Sequence, residues 1–313
     1  MKREQVMAML DAHEEWVKSN GRKGKRAEFT GEELKGFDFS GRKLDKIRFR
    51  CLSLIDVNFN GCSLKDAIFT HVELYDTCFR SANLELAIFI ICTIKECSFN
   101  EASVKDAHFI KSIISNSSFY ASRLYNSKFE DTTIVRTELL RADIRFTSFS
   151  VCELTDVRFT QANLSGGSFY NSTLDNVDIR RANMFKVDLS KATIVKIIAS
   201  PETAFYSLQC PEEGSFIGYK RAEGYIIKLR IPEDAKRSSA TTRKCRCDKA
   251  EVLSIVHASS GKEISGPIAS EYDHKFVYRV GETVSVSNFN ENRWEECTTG
   301  IHFFITREEA EAY

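Results

Sequence analysis

Cysteine and histidine are the side chains best suited to hold a metal or attack a carbonyl carbon. In this sequence of 313 residues, Cys245, Cys247, Cys297 and His302 are the ligand types that first draw the eye. A zinc knuckle separates its paired cysteines by two residues, whereas Cys245 and Cys247 are separated by one, leaving only Cys297 and His302 to close a site. No metal and no cofactor are therefore expected. Cys297 with His302 or His257 would make a nucleophile and base, but the base needs an orienting carboxylate that spacing does not supply. Anion binding asks less of the chain: Arg279, in a predicted strand after Tyr278, and Lys244 and Arg246, in a basic loop running from Ser238 and Ser239, are the candidates. The competing reading is a basic loop held by the chain's own carboxylates. No Gly-rich phosphate loop, paired acidic motif or dinucleotide fingerprint appears, so no catalytic residue is assigned and the chain is read as non-enzymatic.

These residues lie in a region with its own grammar. Short apolar runs predict strands at 215–220, 224–231, 251–256, 275–280, 283–286 and 301–305, and Thr306-Arg-Glu-Glu309 is a capping box opening a last helix. A small α+β domain over 200–313 is expected. Pro201, in Ala199-Ser-Pro-Glu202, is expected to end whatever precedes it, because proline cannot continue a ladder.

What precedes it is periodic. From Phe29 to Ile194 a bulky apolar residue stands at every fifth position without insertion, and two residues earlier stands a mostly small one, such as Cys62, Ala67, Cys92, Cys97, Ala107, Ser112 or Cys152. Period five matches neither a helix nor a plain strand. Only a chain that turns a corner every five residues keeps every large residue inside. The strings Ala82-Asn-Leu84, Ala142-Asp-Ile144, Ala162-Asn-Leu164 and Ala182-Asn-Met184 resemble the pentapeptide-repeat proteins. The resemblance implies a right-handed quadrilateral β-helix over 21–199, four pentapeptides to a coil, about eight coils in all. Residues twenty apart would then lie at roughly the 4.7–4.9 Å strand spacing, with phenylalanines in two opposite ladders. The C-terminal strings Gly214-Ser-Phe-Ile-Gly-Tyr-Lys220 and Val277-Tyr-Arg-Val-Gly-Glu282 are similar to an uncharacterised domain that follows some pentapeptide-repeat proteins of bacteria and phages.

Residues 1–20 read as an amphipathic helix with Val6, Leu10, His13 and Val17 on one stripe, expected to cap the open first coil. His13 and Trp16 are read as packing residues. Residues 21–50 carry a surplus of about five positive charges, read as a solvated loop. Asp45, Lys65, Glu85 and Lys105 should alternate in sign up one corner as surface ion pairs. Ile68, Ile88, Ile90 and Ile110, with Ile91 beside them, should face solvent on neighbouring coils, forming a candidate surface for a protein partner, a second protomer or the C-terminal domain.

Composition bounds the function. The formal net charge is zero, so no global field favours nucleic acid as a partner. No signal peptide or apolar run long enough for a membrane appears, and of the ten cysteines Cys62, Cys92, Cys97 and Cys152 follow the spacing of the repeat rather than a disulfide framework. A cytoplasmic monomer or weak homodimer, mainly β, acting as an interaction scaffold, is the resulting expectation. Two alternatives stand beside it. Ligand binding or catalysis by the C-terminal domain is one. The other is implied by the resemblance, since some pentapeptide-repeat proteins imitate duplex DNA and bind type II topoisomerases; that role asks for an acidic tube, and residues 51–200 sum to about −1.

Overall fold

The computed structural model describes residues 2–271 and 273–313. The chain divides into two compact units, Met1–Ala204 and Phe205–Tyr313. None of the described helices is long and apolar enough to cross a membrane.

The first unit is a β-solenoid of about nine turns. Its strands pair in parallel with partners twenty residues on: Phe29 with Phe49, Phe69 with Phe89, Phe89 with Phe109, Leu154 with Leu174. The corners explain how a chain of L-residues turns so often. In the fifth-position series that includes Asp66 (φ 55), Asp106 (φ 56) and Asn126 (φ 57), the backbone is left-handed, a region that Asp and Asn enter more readily than other non-glycine residues. The next residue then folds back, as when Ala67 N–H donates to Leu64 O at 3.1 Å and Ala102 N–H to Phe99 O at 3.1 Å.

Inside, the phenylalanines form the two ladders the spacing requires. Rings 69, 89, 109 and 129 stack at 4.6–4.7 Å, each pair within 3° of parallel. The second ladder stacks Phe79 on Phe99 at 4.8 Å and Phe99 on Phe119 at 4.6 Å. The ladders meet edge to face across the lumen, with Phe89 6.4 Å from Phe99 at 80°. Such stacked and T-shaped pairs add about 0.5–1.5 kcal/mol each beyond their buried area.

The small column fills what the rings leave, and its polar members are satisfied by inward carbonyls. Thr132 Oγ1 donates to Phe109 O at 3.2 Å, Ser172 Oγ to Phe149 O at 3.1 Å and Cys152 Sγ to Phe129 O at 3.3 Å. Burial pushes the thiols of Cys62, Cys97 and Cys152 up to about 12 and that of Cys92 to about 11. They remain protonated and serve as compact apolar groups.

The helix Arg3–Lys18 covers the first coil, burying Val6, Leu10 and His13. Ala27 N–H donates to His13 Nδ1 at 3.1 Å, Lys43 N–H donates to Glu14 Oε1 at 3.0 Å and Arg42 pairs with Asp11 at 2.8 Å. His13 also stacks on Trp16 at 5.7 Å. Part of the basic cluster is consumed locally, since Arg26 Nε donates to Lys46 O at 2.6 Å with its guanidinium over Trp16.

Two expectations about the tube need correction. The alternating corner forms one direct ion pair, Lys65 with Glu85 at 2.8 Å. Asp45 instead caps the turn, accepting from Ser63 Oγ and from Lys65 N–H at 3.0 Å, and Lys105 lies 3.9 Å from Asp106. A short aspartate reaches the backbone of the next coil more easily than the head of a long lysine. Nor does Pro201 end the ladder. One extra residue is accommodated around it, so that Asn183 pairs with Ala204 and Met184 N–H donates to Ala204 O at 3.0 Å. Proline needs only a position where no N–H is required, and the loosened last corner provides one.

The second unit is built on an antiparallel sheet in which Phe216–Ala222 pairs with Tyr225–Ile231, which pairs with Lys249–His257. Glu263–Ile264 and Thr283–Ser285 flank the long strand Lys249–His257. A second sheet joins Arg237–Ser239, Cys245–Cys247 and Ile301–Phe303. The helix Arg307–Ala312 carries the expected capping box: Glu309 N–H donates to Thr306 Oγ1 and Thr306 N–H to Glu309 Oε2, both at 3.2 Å. The segment read as a basic loop is thus an antiparallel pair of strands, with Ser238, Ser239 and Arg246 buried.

Candidate ligand cavity of the C-terminal domain

The short strand Cys245–Cys247 sorts its side chains by alternation. Cys245 and Cys247 point into the main core beside Leu229, Val252 and Ile301. Arg246 points the other way and is 1% exposed, although no carboxylate holds it. Its Nη1 donates to Asn290 O and Thr299 O at 2.9 Å each, its Nη2 donates to Asn292 O at 3.1 Å, and its plane lies over Phe289 at 5.2 Å. Its guanidinium is spent fastening residues 289–299 onto the sheet. Arg279, also proposed for anions, is a surface residue 3.8 Å from Glu282 and does not share a site with the others.

Lys244 does reach one. It lines a cavity of about 530 Å³ together with Lys220, Tyr278, Cys297, His302 and Tyr313, with Glu271 and Asp273 also on its wall. Lys244 Nζ lies 3.4 Å from Cys297 Sγ, 3.3 Å from Tyr313 Oη and 4.0 Å from Glu296 Oε2. Glu296 is drawn aside by Thr242, whose hydroxyl donates to it. Burial, reinforced by Lys244, lowers His302 to about 4. Its ring is neutral at neutral pH, with Nε2 hydrogen-bonded to Glu296 O at 3.1 Å.

Cys297 and His302 therefore share a cavity, as a nucleophile and base would. Yet the imidazole is committed to a backbone carbonyl and the thiol lies beside an ammonium. His257 is not among the cavity's lining residues; its Nδ1 lies 3.1 Å from Ser260 Oγ. Among the described residues no group of three or more Cys, His, Asp or Glu is placed to hold a metal ion.

Sequence reasoning missed Lys220. In Phe216–Ala222, alternation puts Lys220 on the face of Gly218 and Ala222, both buried. A lysine in that register was a readable signal. Burial lowers its pKa, and the ring of Tyr278 lies 5.9 Å from its Nζ.

On the tube, Ile68 pairs with Ile88 and Ile90 with Ile110. All four flank the inward phenylalanines and are half-buried against their neighbours in the ladder. Ile91 at the corner is 45% exposed, and Ile113, on the next side, is 49% exposed.

Residues 62–139 match the pentapeptide repeat region and residues 152–190 the pentapeptide repeats, while residues 206–310 match a family of unknown function (DUF5758). An uncharacterised protein of Acanthamoeba polyphaga mimivirus is 33% identical over 96 residues, covering 28% of this chain; the chain spans 61% of that relative's length. HetL from the cyanobacterium Nostoc, a pentapeptide repeat protein involved in heterocyst differentiation regulation, is 17% identical, covering 63% of this chain and 95% of its own, with a TM-score of 0.36. Full-length QnrB1, a plasmid-mediated fluoroquinolone resistance protein, is 15% identical, covering 56% and 94%, with a TM-score of 0.32. The chain is a pentapeptide-repeat protein whose residues 206–310 form a separate domain of a family of unknown function.

Proposed function

We propose that the chain is a non-enzymatic protein-interaction scaffold, a rigid tube that presents flat faces to a protein partner while the C-terminal domain adds specificity. Ile91 carries this reading. It occupies a left-handed corner (φ 54) with 45% of its surface exposed. A β-branched residue there costs roughly 1–2 kcal/mol, and its exposed side chain returns little burial. Asn116 and Asn126 show what the same kind of corner accepts easily. Strain and exposure retained together, beside half-buried Ile90 and Ile110, point to a contact surface.

The test is Ile91→Asn. The variant should melt at or above the parent temperature and lose the protein partner that the intact chain captures; unchanged capture by Ile91→Asn and Ile88→Lys removes the surface from consideration. Mimicry of duplex DNA is less well supported, because ion pairs such as Lys65–Glu85, Arg80–Glu101 and Arg158–Glu138 interleave cations along the walls. A second reading, ligand binding in the C-terminal domain, is favoured by the convergence of Lys244, Cys297 and His302 on one cavity.

A further inference from the structure

We infer that the C-terminal cavity binds a small organic anion, a phosphate or carboxylate carried on a flat apolar body, with Lys220 as its anchoring cation. The inference rests on the ligand-binding reading of this domain and names the chemistry of the ligand.

Lys220 is the central observation. It occupies a core-facing register in its strand, is half-buried and lines the cavity. Its Nζ has no hydrogen bond and no ion pair with a described residue; the ring of Tyr278 lies 5.9 Å away. The Glu271 carboxylate acts on it only through space, and a partly withdrawn ammonium with no direct counter-ion is costly and is ordinarily completed by an anion. Arg246, buried more deeply, shows how this domain treats a cation meant for structure: three backbone carbonyls answer it. Lys220 has no such direct partner and faces a space of about 530 Å³, within the range of about 300–1,000 Å³ typical of small-molecule sites.

The surroundings fit the same ligand. Lys244 adds a second ammonium to the lining, while Phe276, Tyr278 and Tyr313 offer rings for a flat body. Glu271 and Asp273 are also on the wall, and Glu271 acts on Lys220 through space without closing an ion pair. The exposed thiol of Cys297, 3.4 Å from Lys244 Nζ, opens onto the cavity and can report its occupancy.

The experiment uses the full chain and three probes: phenyl phosphate, inorganic phosphate and phenol. Peptide-resolved mass spectrometry follows the alkylation of Cys297 by iodoacetamide, with exposed Cys51 as the internal reference. Phenyl phosphate should bind saturably and slow alkylation of Cys297 but not Cys51, inorganic phosphate more weakly and phenol least. Lys220→Met should weaken phenyl phosphate at least about tenfold, the usual worth of one hydrogen bond to a charged group. Lys220→Arg, which keeps the charge, should retain binding, and Trp294 fluorescence verifies that both variants are folded. Equal protection by phenol and phenyl phosphate, or binding indifferent to Lys220→Met, overturns the anion assignment while leaving a ligand cavity. Protection by none of the three overturns the cavity reading as well.

Discussion

The stacked rings of the tube allow a prediction in which two sites differ in one respect. Phe109 is sandwiched between Phe89 and Phe129, each at 4.7 Å, and meets Phe119 edge-on at 6.5 Å. Phe169 stacks only on Phe149, at 5.0 Å, and meets Phe159 edge-on at 6.0 Å, because the next position in its column is Leu189. Both are essentially buried. Replacing either by leucine removes a similar volume, about 1 kcal/mol of transfer and cavity cost at each. The ring contribution differs: two stacked pairs are lost at 109 and one at 169, at about 0.5–1.5 kcal/mol per pair. With the one edge-on pair also lost at each, Phe109→Leu should therefore destabilise the tube by about 2.5–5.5 kcal/mol and Phe169→Leu by about 2–4 kcal/mol. Urea unfolding measures the difference. The chain has two tryptophans, Trp16 on the capping helix and Trp294 in the C-terminal domain, so a Trp294→Phe background leaves a reporter on the tube alone. Equal losses at both sites would refute ring stacking as a stabilising element and leave simple volume filling in its place.

Two other expectations concern the C-terminal domain. His302 titrates near 4 in the folded chain and near its ordinary 6.5 when unfolded. Its neutral form therefore contributes stability above about pH 6.5 that is lost as pH falls towards 4, roughly 3 kcal/mol at the full shift; the fall in unfolding free energy from pH 7 to 4.5, read from Trp294, should be smaller in His302→Gln, and an identical slope would exclude His302 as its source. Arg246→Met should leave the carbonyls of Asn290, Asn292 and Thr299 unanswered, costing at least about 3 kcal/mol, so limited proteolysis should open 289–299 while the Trp16 transition stays unmoved.

The tube was legible in the sequence because its rule is local and repeated. Phe69, Phe89 and Phe109 announce their stacking by spacing alone, and the left-handed corners recur at one fixed offset. Departures came where a residue answered to something distant. The partners of Arg246 lie at 290, 292 and 299, far beyond any local window, so its surroundings read as a basic loop when they form a strand with a buried guanidinium. Asp45 sits in a column of alternating charge, yet the nearest backbone donor of the next coil satisfies it sooner than a lysine head does. Of the cavity, Lys244, Cys297 and His302 were visible as residue types, but their meeting required sheet pairings between 245–247 and 301–303 that no spacing specifies. Lys220 is legible in the alternation of Phe216–Ala222, as the polar member of the face that carries Gly218 and Ala222.

The uninterrupted twenty-residue register has a consequence for how such a molecule can change. Anything shorter than a full circuit, added or removed in the middle, would rotate every later ring off its column, so length is quantised. The odd residue beside Pro201 survives because no complete circuit follows it. Duplication or excision of whole circuits should move the surface features along the axis in steps of about 4.8 Å per layer, making the wall a graduated ruler whose markings can be respaced only by an integer.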